Sequence, residues 1–115
     1  MVNKEITLKW SKLLPLVAEE INKVDGKNGV YRISRKESDD KFYVIFVGST
    51  TDLKFELLEK NEIFLKQGGE FAFRYAEIND EEEKKSIEKQ MYKKYAPEYN
   101  SKEPISLIDV KVNLN

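Results

Sequence analysis

The residue with the clearest chemical potential is a carboxylate on an apolar helical stripe. At about 100° per residue, Ile87, Met91, Tyr92 and Tyr95 share one arc, and Glu88 falls inside it. A carboxylate in that position needs a partner, a bound metal, or a cleft that admits water. Two readings stay open on pattern alone: a metal ligand or acid/base in a pocket, or a boundary Glu that reaches solvent or pairs with a Lys. Two absences narrow the chemistry around it. The chain has no Cys and no His. Disulfides, thiol nucleophiles, Ser-His-Asp and Cys-His hydrolysis and His-ligated metals are therefore excluded. Catalysis would fall to Tyr, Lys, Asp/Glu, Ser/Thr or a metal held by oxygen ligands.

The elements that must position this carboxylate belong to one domain, 1–115. A chain of this length buries about two-thirds of its unfolded surface, enough for a single core. With 40% hydrophobic and 36% charged residues, the composition is globular. Lys plus Arg number 20 against 21 Asp plus Glu, so nucleic-acid binding would need a local basic face. No run of about 18 apolar residues suggests a membrane span. The first ten residues lack an apolar signal core, so a cytoplasmic location is expected.

Leu14, Val17, Ile21 and Val24 mark one face of an expected helix over about 11–24. The turn cluster Asp25 to Gly29 ends it. Val30 to Ile33 reads as a short strand. Phe42 to Val47 is nearly continuous apolar sequence and reads as a strand covered on both faces. The polar loop between them predicts an antiparallel hairpin. A helix follows from about Asp52 to Lys66, with Ser49, Thr50, Thr51 or Asp52 as its cap and Thr51 and Asp52 the better candidates, a Leu53, Leu57 and Phe64 stripe, and Gly68-Gly69 as its stop. Phe71 to Ile78 alternates as a half-buried strand. Asp80 to Tyr95 is a helix with acid at its start, Lys93 and Lys94 at its end, and Pro97 beyond. Ile105 to Val112 reads as a last strand or extended arm. The fold class is α/β (α+β): a small three-stranded, mainly antiparallel sheet flanked by helices, in the order α-β-β-α-β-α plus a tail.

Four strings in this order resemble the GIY-YIG nuclease domain. GVYRI (29–33) is similar to the first signature, FVGST (46–50) to the second, and TTDLKFELLEK (50–60) to the helix after it. IEKQMYKKYAPEYN (87–100) is similar to the Glu-bearing helix that ends in Pro-x-x-Asn. The resemblance covers about 29–100, leaving the N-terminal helix and the tail 101–115 outside. It implies that Glu88 holds one divalent cation, Mg²⁺ or Mn²⁺, which acts as a Lewis acid on a scissile phosphate. It further implies that Tyr31 helps activate the attacking water. Gly29, Gly48 and Asn100 are the matching structural positions, Asn100 tying down its loop.

Three positions depart from the family pattern. Phe46 stands where the second signature has a Tyr, so the ring remains without its hydroxyl. Glu56 stands where the family has an Arg that neutralises charge on the phosphate. Lys60 stands where a polar residue, often His, assists the water. Lys60 is one helical turn after Glu56, so it either supplies the missing positive charge or pairs with Glu56. Arg32, next to Tyr31 in a strand, points to the opposite face. Phe42, Tyr43, Phe71, Phe73 and Tyr75 read as core ahead of a base-stacking platform, and the Lys84, Lys85, Lys89, Lys93 and Lys94 run as a solvated face. The leading function is a catalytically impaired, GIY-YIG-like nucleic-acid-binding or interaction module. The alternatives are an active divalent-metal-dependent DNA or RNA endonuclease using Tyr31, Lys60 and Glu88, and a protein-interaction module that never contacts nucleic acid. Every nuclease-derived reading expects Tyr31, Glu56, Lys60 and Glu88 to meet around one concave patch, and their scattering over unrelated surfaces would end it. Oligomeric state is left open.

Overall fold

The computed structural model describes residues 4–114. Its centre is an antiparallel hairpin of β3 (Gly29–Lys36) and β4 (Phe42–Thr50). On its other side β3 pairs antiparallel with β5 (Phe71–Glu77). Beyond β5 lies a short antiparallel strand, β2 (Leu14–Pro15), so the sheet order is β2-β5-β3-β4. The expected sheet is thus one strand too small.

The extra strand lies where a helix was expected over 11–24. Only Ala18–Ile21 is helical there, as α1. Pro15 accounts for the difference. It biases Leu14 toward extended backbone and has no N–H to give to a helix, which suits an edge strand. The neighbouring Leu16 N–H donates to Phe71 O and Ser11 N–H to Tyr75 O, continuing the attachment to β5. Ile21 and Val24 of the expected stripe are buried, with Leu14 packed partly against the same core, whereas Val17 is 45% exposed and Leu16 is buried in its place.

The helices α2 (Leu53–Leu65) and α3 (Glu81–Tyr95) form as expected. The Asp52 side chain accepts from the Phe55 N–H (3.0 Å) and Asp80 from the Glu83 N–H (2.9 Å), each satisfying an orphan donor of the first turn. The helix α3 ends at Ala96 in a left-handed conformation (φ 45°), ahead of buried Pro97. Tyr31, Ile33, Leu53, Leu57, Phe64 and Phe73 pack together on the α2 face of the sheet. Val30, Val47, Ala76, Ile87 and Met91 pack on the α3 face. The sheet aromatics Phe71 and Phe73 are core, whereas Tyr43 is 48% exposed.

A bulge explains the apolar run in β4. Ile33 pairs with Phe46 and Ser34 with Val44, which leaves Ile45 as the extra residue. Ile45 and Phe46 consequently both pack toward the α2 core, while Val44 and Val47 face α3. Both faces are covered at Ile45 and Val47, but β4 is an edge strand and its Tyr43 end is not covered.

The chain ends are joined by a feature absent from the sequence reading. The strand β1 (Lys4–Ile6) pairs in parallel with β6 (Val110–Val112). The expected strand over Ile105 to Val112 is therefore confined to its last three residues, and Ile105 and Leu107 are exposed. Side chains so exposed gain little burial from extended pairing. Arg32 secures this layer from the sheet. It is 5% exposed, donates to Leu114 O (2.5 Å), and lies over the rings of Trp10 (4.5 Å) and Tyr95 (5.2 Å). No helix among the described residues is long and apolar enough to cross a membrane.

Asn100 seals the exposed edge of β4. Its Oδ1 accepts from Val47 N–H and its Nδ2 donates to Val47 O, both at 2.9 Å, and Tyr99 N–H donates to Ile45 O at 2.9 Å. The side-chain amide thus acts as a substitute strand. Asn100→Ala should lower stability by about 1–3 kcal/mol, the range for leaving buried polar partners unmatched. Urea unfolding should show a lower midpoint at unchanged m-value.

Candidate functional site

Tyr31 enters the site from the middle of β3 and is 0% exposed. Opposite it on β4 is Gly48. A Cβ at Gly48 would lie 2.7 Å from the Tyr31 ring carbon Cζ and its hydroxyl oxygen, so the glycine is what lets the tyrosine lie flat across the strand. A Cβ at Gly29 would meet Ala76 O at 2.5 Å and Leu53 Cδ1 at 2.6 Å, so that glycine allows β5 and α2 to close on β3. The tyrosine hydroxyl reaches α2, where it donates to Glu56 Oε2 at 2.8 Å. Lys60, one turn further along α2, contacts the same oxygen at 3.6 Å and lies 5.1 Å from the Phe46 ring centroid. Phe46 closes the group, 6.0 Å from Tyr31 between centroids. Lys60 also approaches Glu59 at 3.6 Å.

Glu88 belongs to the other side of the same strand end. Ser49, which pairs with Val30 on the α3 face, donates its hydroxyl to Glu88 Oε1 at 2.6 Å. Glu88 lines a groove of about 590 Å³ with Lys85 on α3 and Lys102, Pro104, Ile105 and Leu107 on the tail. Tyr31, Glu56 and Lys60 do not line that groove. The four residues expected in one cleft therefore form two adjacent groups, Tyr31–Phe46–Glu56–Lys60 and Ser49–Glu88, joined through the 46–49 segment of β4. The cause is the strand alternation that sends Gly48 and Ser49 to opposite faces.

The two groups share an electrostatic field. Burial raises the Tyr31 pKa far above the ordinary phenol value, and the Glu56 and Glu88 carboxylates raise it further. Burial also raises the Glu88 pKa above the usual carboxylate range. The Ser49 hydrogen bond and Lys85 oppose that shift, and Glu56 adds to it. Tyr31 is therefore held neutral, its proton directed at Glu56. Lys60 does not stand alone as a replacement cation, because it is paired with Glu56.

The donor set around Glu88 can be compared with the needs of a hard cation. No group of three or more acidic side chains able to hold a metal occurs among the described residues. Glu88 beside the Ser49 hydroxyl, opening on a groove whose lining also includes Glu82 and Glu103, fits Mg²⁺ or Mn²⁺ in the manner of an ion that keeps most of its waters and takes further ligands from a phosphate.

Two residues near the site escaped the sequence reading. Ser49 was weighed only as a helix cap, a role Asp52 fills. Lys84 was assigned to a solvated face, yet it is 2% exposed. The available signal was its spacing, since 84, 87, 91 and 95 continue one helical stripe. The other lysines of that run are not buried.

Gly48→Ala should destabilise the fold by about 1–3 kcal/mol, the usual cost of overpacking, measured as a lowered denaturation midpoint. Glu88→Gln gives a pH test. Because the folded Glu88 pKa is raised, the native state binds more protons than the unfolded state just above the ordinary Glu pKa. Stability is then lost as pH rises through the folded pKa. Metal-free thermal unfolding from pH 4 to 7 should find Glu88→Gln more stable than the parent at pH 7, with the difference vanishing toward pH 4.

No protein-family model matches the chain, and no curated protein matches it by sequence. Solved structures do. The chain is similar to the GIY-YIG N-terminal endonuclease domain of UvrC from Thermotoga maritima bound to magnesium, its catalytic divalent cation. That match has 25% identity and a TM-score of 0.51, and covers 71% of this chain and 97% of that one. A point mutant of the same domain bound to its catalytic divalent cation matches with 23% identity and a TM-score of 0.53, over 73% of this chain and 93% of that one. The chain thus has a GIY-YIG superfamily fold.

Proposed function

We propose that this chain is a GIY-YIG nuclease-like domain that binds nucleic acid and hydrolyses phosphodiesters poorly. One observation carries the reading: the Tyr31 hydroxyl donates to Glu56 Oε2 at 2.8 Å, and Lys60 contacts that same oxygen. A tyrosine that helps activate water must be able to give up or exchange its proton near the nucleophile. Tyr31 is buried, and the neighbouring carboxylates oppose its ionisation. Glu56 also places negative charge where the resemblance implies a guanidinium. Losing one such electrostatic stabiliser costs about 10²–10³ in rate, and a carboxylate there additionally repels the phosphate. Phe46 provides no hydroxyl to compensate.

In this reading Glu88, with Ser49 beside it, holds one Mg²⁺ or Mn²⁺. When bound, the cation supplies charge for phosphate binding and a Lewis acid for the leaving oxygen. Lys60 and Phe46 border the phosphate path, and a cytoplasmic location accompanies this role. Ile105 and Leu107, 80% and 82% exposed beside the Glu88 groove, support a second reading as a protein-contact module.

Purified protein should retain single-stranded or duplex DNA, or RNA, at low salt. Binding should fall as salt rises, with no nicking of supercoiled plasmid in Mg²⁺ or Mn²⁺. Nicking that disappears in Glu88→Ala would establish an active enzyme instead. Absence of retention at low salt would move the function to protein contacts.

A further inference from the structure

Lys84 is a buried charged residue beside the Glu88 group. Its ammonium donates to Asn28 Oδ1 at 2.7 Å and to Thr50 O at 3.2 Å, and pairs with Glu81. A lysine ammonium has three N–H donors, and these three acceptors come from three places: the turn before β3, the end of β4, and the first turn of α3. The side chain is 2% exposed, so each partner matters; a buried ammonium stripped of its acceptors is strongly destabilised.

The two ends of this clamp flank the Glu88 group. Lys84 is one helical turn before Glu88 on α3, and Thr50 follows Ser49, the residue that donates to Glu88. Moving α3 relative to the end of β4 would break the Lys84–Thr50 and Ser49–Glu88 bonds together. The geometry points to Lys84 as a positioning residue, which holds α3 against the β3–β4 end so that Glu88 and Ser49 meet in the orientation needed to bind a divalent cation. This deepens the proposed function, because Glu88 as the cation-holding carboxylate is taken from it.

The proposal makes a prediction opposite in sign to the simplest electrostatic one. As a mere positive charge near Glu88, Lys84 would repel a cation, and its removal would tighten binding. As a positioning residue it supports the ligand, and its removal should weaken binding by about 10–100-fold, the usual effect of losing an outer partner of a metal ligand.

The experiment titrates Mn²⁺ into the full chain and into Lys84→Met, Lys84→Arg and Asn28→Ala. Paramagnetic broadening gives the affinity, and metal-free amide spectra report on Ser49, Thr50 and Glu88. The expected result is weaker Mn²⁺ binding in Lys84→Met, shifted or broadened Ser49 and Glu88 resonances, and partial recovery of both in Lys84→Arg. Should Lys84→Met fail to fold, Asn28→Ala, which keeps the ammonium and removes one acceptor, should show the same changes in smaller measure. Folded variants with unchanged or tighter Mn²⁺ binding and undisturbed Ser49 and Glu88 resonances would overturn the proposal. If the parent binds no Mn²⁺, the cation-holding reading of Glu88 fails, and the amide spectra alone decide whether Lys84 sets the position of Glu88.

Discussion

A phenol hydroxyl buried beneath a helix must find an acceptor, and in this fold the acceptor is a carboxylate. Tyr31 lies wholly inside the sheet–α2 layer, and Glu56 meets its hydroxyl at 2.8 Å. That hydrogen bond sets much of what surrounds it. Gly48 must lack a side chain for the ring to pass. Lys60 is drawn to the carboxylate and comes to rest near Phe46. The α2 register that puts Leu53 and Leu57 in the core also puts Glu56 and Lys60 at the tyrosine. The same contact joins fold stability to chemistry. A charge-assisted bond of this kind stabilises by about 1.5–3 kcal/mol, and it does so by committing the proton that nuclease chemistry would use.

The negative field follows from that arrangement. Two carboxylates, Glu56 and Glu88, act on Tyr31 from opposite sides of the strand end, and Glu56 also raises the Glu88 pKa. Such a site attracts a cation more readily than a bare phosphate. In the proposed reading Glu88 would hold a divalent cation, whose charge would offset part of the repulsion toward nucleic acid. The groove beside Glu88 adds the tail's Lys102 and two exposed aliphatic side chains, a surface of mixed character unlike a uniformly basic channel.

How much of this was legible in the sequence depended on how local the cause was. The hairpin, both long helices, the Asp52 cap and the inward direction of Glu88 follow from periodicity and capping chemistry within a few residues. The pairing of Lys60 with Glu56 also follows from helical spacing. Pro15 shows where periodicity misleads: Leu16, Ile21 and Val24 are core while Val17 is exposed, and a free β5 edge and a missing N–H favoured a strand. The β1–β6 pairing joins residues about a hundred positions apart and has no local signal. Lys84 was misread because a lysine is assumed to face water, although its place on the 84–87–91 stripe argued otherwise. The division of the site into two groups depends on which way Gly48 and Ser49 point. A one-residue alternation decides that, and neighbouring motifs in a sequence do not reveal it.

The central claim is that Glu56 holds the Tyr31 proton and repels phosphate. It is tested most directly by restoring the family pattern with Glu56→Arg and Phe46→Tyr, then measuring oligonucleotide affinity against the parent at matched salt. The account predicts tighter binding in the double variant, with a steeper dependence on salt. A folded double variant that binds more weakly than the parent would contradict it.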